Sequence, residues 1–224
     1  MNPFKTNPVL RSACLLALAA TLTGTPARAQ DASPWAVRLG AAHVGFSTRA
    51  DVQAGGAPVP GADASASSNT TPGLELSYAL SPQWTGRFLI GVPPTTTLTG
   101  TGTLASAGTL GKVTYGPAVL SATYSPWTTG PVRPYVGAGL NYTIVFRSED
   151  GFISPLDVKN GLGAVLQVGV EIPLDGGWSV GLDARKIYVK TQADGRLPAM
   201  GGAVAHADVR LDPLVVFLSV GRRF

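Results

Sequence analysis

Beyond residue 30 the chain has no cysteine, no apolar run long enough to cross a bilayer as a helix, and few charged residues. Its one cysteine is Cys14, in a segment expected to be removed, so disulfides and thiol chemistry are excluded from the remainder. A spanning helix needs roughly 20 consecutive apolar residues, and nothing after residue 30 approaches that. Histidine is scarce too, limited to His43 and His206. Nucleophilic catalysis needs a serine held beside a base and an orienting acid. His43 falls on the apolar face of an alternating segment and His206 in a long link, so no enzyme is expected. The acidic residues Asp31, Asp51, Asp63, Glu149, Asp150 and Asp194 lack the spacing of a calcium loop, and neither metal nor cofactor is expected. Gly55-Gly56 and Gly100-Thr101-Gly102-Thr103 are not followed by a helix-forming run, so they read as loop tips rather than phosphate cradles.

The removable segment is residues 1–29. Lys5 and Arg11 form a basic start, Ala13 to Leu22 a short apolar stretch, and Ala27-Arg28-Ala29 a small-residue cleavage site, the pattern of a secretory signal. Cleavage there would take Lys5, Arg11 and Arg28 away. The 17 Lys+Arg would fall to 14 against 13 Asp+Glu, a net charge of +1. The basic character thus belongs partly to the signal. No Lys/Arg cluster interleaved with aromatics remains, so nucleic acid is excluded as a partner.

Residues 30–224 then form one domain. Their hydrophobic pattern has period 2, with candidate strands near Trp35–Thr48, Thr71–Leu80, Gln83–Pro93, Lys112–Tyr124, Arg133–Phe146, Gly161–Ile172, Trp178–Val189 and Asp208–Phe224. Short links rich in turn formers (Ser81-Pro82, Ser125 to Val132, Pro173 to Gly177) alternate with long ones (Arg49 to Thr70, Pro94 to Gly111, Arg147 to Asn160, Lys190 to Ala207). Without a spanning helix, the structure that satisfies every backbone group in lipid is a closed barrel. The alternation predicts an all-β protein, an eight-stranded antiparallel up-and-down transmembrane barrel. Its setting is the outer membrane of a Gram-negative bacterium, with short turns and both termini periplasmic and long loops outside. Membrane lipids and the barrel assembly machinery are the implied partners. Phe224, closing an alternating run from Val216, is the expected assembly signal.

A soluble sandwich would also alternate. The discriminating residues are Trp84, Trp127 and Trp178, all near short turns, where an interfacial aromatic belt would lie. The inward positions include Arg38, Glu75, Arg87, Leu89, Gln167, Glu171, Asp183 and Arg185. An eight-stranded barrel is barely wide enough for its own side chains, and isolated ions inside it would cost several kcal/mol each. These charges are therefore expected to pair.

Arg133-Pro134-Tyr135-Val136-Gly137-Ala138-Gly139-Leu140-Asn141-Tyr142-Thr143 resembles the fifth-strand motif of the outer membrane protein W (OmpW) family. Val209-Arg210-Leu211-Asp212-Pro213 and the strand after it resemble that family's last-strand motif. Asn69-Thr70 and Gly116-Pro117 are further matches. The resemblance implies an eight-stranded barrel and a narrow conduit for passive uptake of small hydrophobic molecules, with lateral escape into the bilayer. It places Leu89 at a constriction, and puts Arg185 where an apolar gate tryptophan would be expected, so a more polar or plugged lumen follows. The alternative is a barrel without transport, structural or stress-related, whose extracellular loops serve as a docking surface.

Overall fold

The computed structural model describes residues 33–198 and 201–224. The secretory signal expected over residues 1–29 lies outside the described residues. Among the described residues there are fourteen strands: β1 (Trp35–Gly45), β2 (Arg49–Ala54), β3 (Ala57–Pro58), β4 (Ala62–Ala66), β5 (Asn69–Ala79), β6 (Trp84–Gly91), β7 (Thr95–Gly102), β8 (Thr109–Tyr124), β9 (Arg133–Asp150), β10 (Asp157–Val158), β11 (Gly161–Pro173), β12 (Trp178–Leu197), β13 (Ala203–Arg210) and β14 (Leu214–Arg223).

Eight of them close a ring. β1 pairs with β5, β5 with β6, β6 with β8, β8 with β9, β9 with β11, β11 with β12, β12 with β14, and β14 returns to β1, every contact antiparallel. Closure leaves no edge, which is what a sheet in hydrocarbon requires. The final ladder is completed where the Phe224 N–H donates to the Trp35 carbonyl at 3.2 Å.

Period 2 decides which side chains meet lipid. Trp84, Phe88 and Ile90 on β6, Leu162, Leu166 and Val168 on β11, and Leu182 on β12 point outward and are exposed, while Arg87, Leu89, Gln167, Val165, Asp183 and Arg185 point in and are buried. At the short-turn end Trp35, Trp84, Trp127 and Trp178 are all exposed. Trp35 meets Tyr78 edge-on at 4.7 Å, and Trp84 tilts against Tyr124 at 5.2 Å. Arg222 also faces out at this rim, its guanidinium 5.6 Å from the Trp178 ring centre. That placement lets its long stem cover apolar surface while the charge reaches the headgroups.

The structure departs from the sequence reading in the long links, which are largely strands rather than loops. β2 pairs with β13, β13 with β12, β4 with β7, and β7 with β8, so the wall continues past the membrane band as an extension. Gly100 to Gly102, expected at a loop tip, lies in β7 opposite Ala62 to Ala64. These segments are rich in Ala, Ser, Thr and Gly, whose weak contrast in hydropathy hides the alternation. They are held by ladder hydrogen bonds that no side-chain pattern announces. Gly55 and Gly56 do form a turn, both with positive φ. The expected last strand from Asp208 divides in two at Leu211-Asp212-Pro213, because Pro213 has no N–H to give the ladder and Asp212 takes φ 35°.

Candidate functional site

Along each barrel strand the inward residues change character at one level. From the short-turn end, β1 reads Arg38, Gly40, Ala42, Val44, and β12 reads Asp183, Arg185, Ile187, Val189. β8, running the other way, reads Val113, Tyr115, Pro117, Val119, then Ser121, Thr123. The lumen is therefore polar in its short-turn half and apolar in its long-link half.

The polar half is a closed ion network. Glu75, 1% exposed, accepts hydrogen bonds from Arg87 Nη1 at 2.8 Å, from Arg38 Nη1 at 3.3 Å, and from Arg185 Nη2. Arg185, 0% exposed, also donates to Asp183 Oδ2 at 2.9 Å. The same Asp183 oxygen accepts from Gln167 Nε2 at 2.7 Å and Tyr135 Oη at 3.0 Å. Arg38 reaches Glu171, and Arg87 Nη2 lies 3.6 Å from it. Arg87 further donates to Thr123 Oγ1 at 3.0 Å and lies over the Tyr135 ring, 4.3 Å from its centre. Three guanidiniums face three carboxylates, so the network is neutral and each ion has its desolvation offset by direct partners. The lumen has room for them because small residues face them. A Cβ on Gly221 would come within 2.3 Å of Arg38 Cγ, and one on Gly169 within 2.5 Å of the Tyr135 ring.

All eight inward residues read from the sequence come together here, Gln167 through its bond to Asp183. Arg38, Glu75, Arg87, Glu171, Asp183 and Arg185 form the network, and Leu89 lies directly above it, packed in a buried apolar band with Phe217, Val119 and Val215. Arg185 has Glu75 and Asp183 as its partners, and Glu171 pairs with Arg38 and Arg87. Phe217 and Tyr135 were not singled out from the sequence. The inward parity of Val215, Phe217 and Ser219 in the last strand is the signal that could have found Phe217.

Above the band, apolar cavities are stacked. One of about 20 Å³ lies beside Leu89, Val119 and Arg185. It shares Val44, Tyr115, Pro117 and Val215 with a cavity of about 70 Å³ that Ile187, Val189 and Val209 also line. Leu98, Ala193 and Val209 connect that one to a further cavity of about 70 Å³ in the extension. The chain from Gly151 to Leu156 crosses this end, with Leu156 buried and Ile153 against it. Asp150 anchors the crossing: it accepts from Ser154 Oγ at 2.6 Å and from the Leu156 N–H at 2.9 Å, and these bonds hold its carboxyl below the usual range. At the opposite end a polar vestibule of about 350 Å³ opens below the network, lined by Arg87, Arg133, Tyr135 and Glu171.

The wall has a weak seam at the apolar level, between β6 and β7 on one side and β8 on the other. The β6–β8 ladder ends at Ile90↔Ala118 and the β7–β8 ladder begins at Thr95↔Thr114. Between them Val92-Pro93-Pro94 faces Tyr115-Gly116-Pro117, and three prolines there have no N–H to donate. The Tyr115 N–H to Pro94 carbonyl bond, 3.2 Å, crosses the seam. The small cavity beside Leu89 reaches this place, touching Gly91, Val92, Pro94 and Pro117 as well as the outward Ile90.

Comparison with known proteins gives the same architecture. The chain is 43% identical to the dibenzothiophene metabolism operon protein PahQ of Pseudomonas aeruginosa over 192 residues, 86% of this chain and 89% of the relative. It is 31% identical to the outer membrane protein AlkL of Ectopseudomonas oleovorans over 174 residues, 78% of this chain and 74% of that one. The crystal structure of the outer membrane protein OprG from Pseudomonas aeruginosa superimposes with a TM-score of 0.79 at 25% identity, covering 86% of this chain and 97% of OprG. The OmpW family model matches residues 33–224, the whole barrel and its extension, and this protein of the outer membrane belongs to the OmpW family.

Proposed function

We propose that this barrel is a passive conduit through which small hydrophobic molecules enter the outer membrane from outside and leave sideways into the bilayer. The observation that carries the reading is the change of the inner face from apolar to ionic at Leu89. A solute arriving through the stacked cavities meets apolar walls as far as the Leu89 band, and below it a neutral ion network whose upper members, Glu75, Asp183 and Arg185, are buried. An apolar solute gains nothing by displacing that network, since unpairing buried ions costs several kcal/mol. The low-cost exit is the proline-rich seam at Val92–Pro94, where few backbone bonds need to open. In this reading Leu89 and Arg185 form the floor of the path and the six ions its seal.

The reading takes the extension as extracellular, the short turns and both termini as periplasmic, membrane lipid as the surrounding solvent, and the assembly machinery as the partner that recognises the last strand. It assigns no catalytic step. The PahQ name ties that relative to dibenzothiophene metabolism, and a flat apolar aromatic of that size is a suitable first solute to test.

The test is uptake of dibenzothiophene by Gram-negative cells carrying wild type, Val189→Trp or no barrel. Val189 is buried on the wall of the central cavity, and an indole there would fill it. Uptake by the variant should fall to the level of cells without the barrel, while the folded band on an unheated gel persists. Equal uptake with wild type and with no barrel would assign the protein to the non-transporting alternative, and wild-type uptake by a well-folded Val189→Trp would exclude the central cavity as the path.

A further inference from the structure

Immediately beyond the membrane band, three cations stand side by side on the outer face of three adjacent strands. Lys190 on β12 is directly opposite Arg210 on β13, and Arg210 is directly opposite Arg49 on β2. All three are exposed. None forms an ion pair or side-chain hydrogen bond among the described residues. Directly opposed residues in an antiparallel pair have Cβ atoms about 5 Å apart, and like charges placed so are destabilising.

The next outward positions, two residues further from the barrel on each strand, are Gln192, Asp208 and Asp51, again in register. Beyond those come Asp194, His206 and Gln53. On every strand the cation is on the barrel side and the acid or amide on the far side. The β8–β9 wall of the extension is arranged differently. There Lys112 faces Glu149, and Arg147 lies 3.5 Å from the same carboxylate.

The height of the cation row is set by the aromatics. On β12 the outward series runs from Trp178 at the short-turn rim to Tyr188, 48% exposed, one outward position below Lys190; the cation within it, Lys186, has its charge turned to the Asp212 carbonyl. Ten residues of tilted strand rise about 25 Å, the height of the apolar band of an outer-membrane barrel. Lys190, Arg210 and Arg49 therefore lie at headgroup level. Lys190 and Arg210 border an open cleft of about 540 Å³ that Lys159 and Asn160 also line, with Asp51 and Asp208 on its far side.

We propose that this row binds the phosphate groups of the phosphorylated glycolipid, of lipid A type, that forms the outer leaflet of a Gram-negative outer membrane. The proposal shares with the functional reading only the placement of the extension outside. A phosphate accepts charge-assisted hydrogen bonds from several donors at once and removes the repulsion within the row. Its acyl chains would lie along the apolar wall of β12 and β14 below. The acids beyond the row, facing away from the membrane, keep the cationic strip confined to the height at which the phosphates lie.

The experiment uses the folded full barrel in zwitterionic detergent and measures binding of bisphosphorylated lipid A, of the same lipid dephosphorylated, and of inorganic phosphate. Wild type should bind the bisphosphorylated lipid and weaken as salt rises. The triple variant Lys190→Gln/Arg210→Gln/Arg49→Gln should lose at least about tenfold in affinity through its missing charged donors, and Lys112→Gln/Arg147→Gln should not. Without lipid the triple variant should be at least as resistant to urea as wild type, because the row then only repels itself. Equal binding of the dephosphorylated lipid, or wild-type binding by the folded triple variant, would overturn the proposal. Competition by inorganic phosphate at matched phosphate concentration would assign the row to free phosphate and overturn the lipid assignment. Should the triple variant fail to fold, Lys190→Gln alone and the salt dependence of wild type decide.

Discussion

Glu75 on β5 and Arg185 on β12 are 110 residues apart in the chain, and their side chains are hydrogen-bonded inside the barrel. The two strands are separated by β1 and β14, so the bond spans the lumen instead of following the wall. It ties the first half of the chain to the second and fixes the level at which the lumen closes.

Breaking this bond from one side should be costly. Arg185→Ala leaves Glu75 and Asp183 buried with reduced compensation and should lower stability by about 3–5 kcal/mol. Glu75→Gln should cost a similar amount, since three guanidiniums converge on it. The double variant Glu75→Gln/Arg185→Ala should lose less than the sum of its singles, because each removes the charge that the other leaves unpaired. Urea unfolding in detergent, followed by the heat-modified gel band, measures all three, and strict additivity would contradict a coupled network.

The seam can be locked reversibly. A Cβ on Gly116 would lie 3.5 Å from Pro93 Cγ, and the chain beyond the expected signal contains no other cysteine. Pro93→Cys/Gly116→Cys should form a disulfide with a small shift of Phe146, whose ring a side chain at 116 would crowd. Oxidised, the variant should take up dibenzothiophene poorly; reduced, it should recover. Equal uptake in both states would exclude this seam as the exit.

Phe224 is exposed at the rim and held to the wall by its own N–H, so little folding energy depends on its ring. Phe224→Ser should leave the urea midpoint of refolded protein near wild type yet reduce the amount assembled in cells. Comparing outer-membrane yield with in vitro stability separates the two roles. A matching loss of both would make the residue structural.

In the extension His206 Nδ1 lies 2.7 Å from Asp194 Oδ1, with Asp208 Oδ2 3.9 Å from its other ring nitrogen. The bond to Asp194 raises the imidazole pKa above its ordinary 6.5. A raised value means the pairing helps hold the β12–β13 hairpin below about pH 6.5 and is lost as pH climbs through the folded-state value. A proton NMR titration should show His206 titrating above 6.5, and Asp194→Asn should bring it down. An unchanged midpoint in Asp194→Asn would mean the pair does not form.

Much of this architecture is legible in the chain as a string of residues. Period 2, the alternation of short and long links, and tryptophans beside the short turns suffice for eight strands and a lipid-facing side, because side-chain parity in a strand is a local property. The same parity places Arg38, Glu75, Arg87, Leu89, Glu171, Asp183 and Arg185 inside and requires the ions to pair, since lipid leaves no other solvent. Which carboxylate meets which guanidinium was not available, because partners such as Glu75 and Arg185 are brought together only by closure and register around the ring. The extension was hidden for the opposite reason. Its Ala, Ser, Thr and Gly strands show little hydropathy contrast, and their stability lies in backbone bonds between distant segments. Likewise, Lys190, Arg210 and Arg49 are three scattered basic residues in sequence, and only the pairing of β12, β13 and β2 makes them a row.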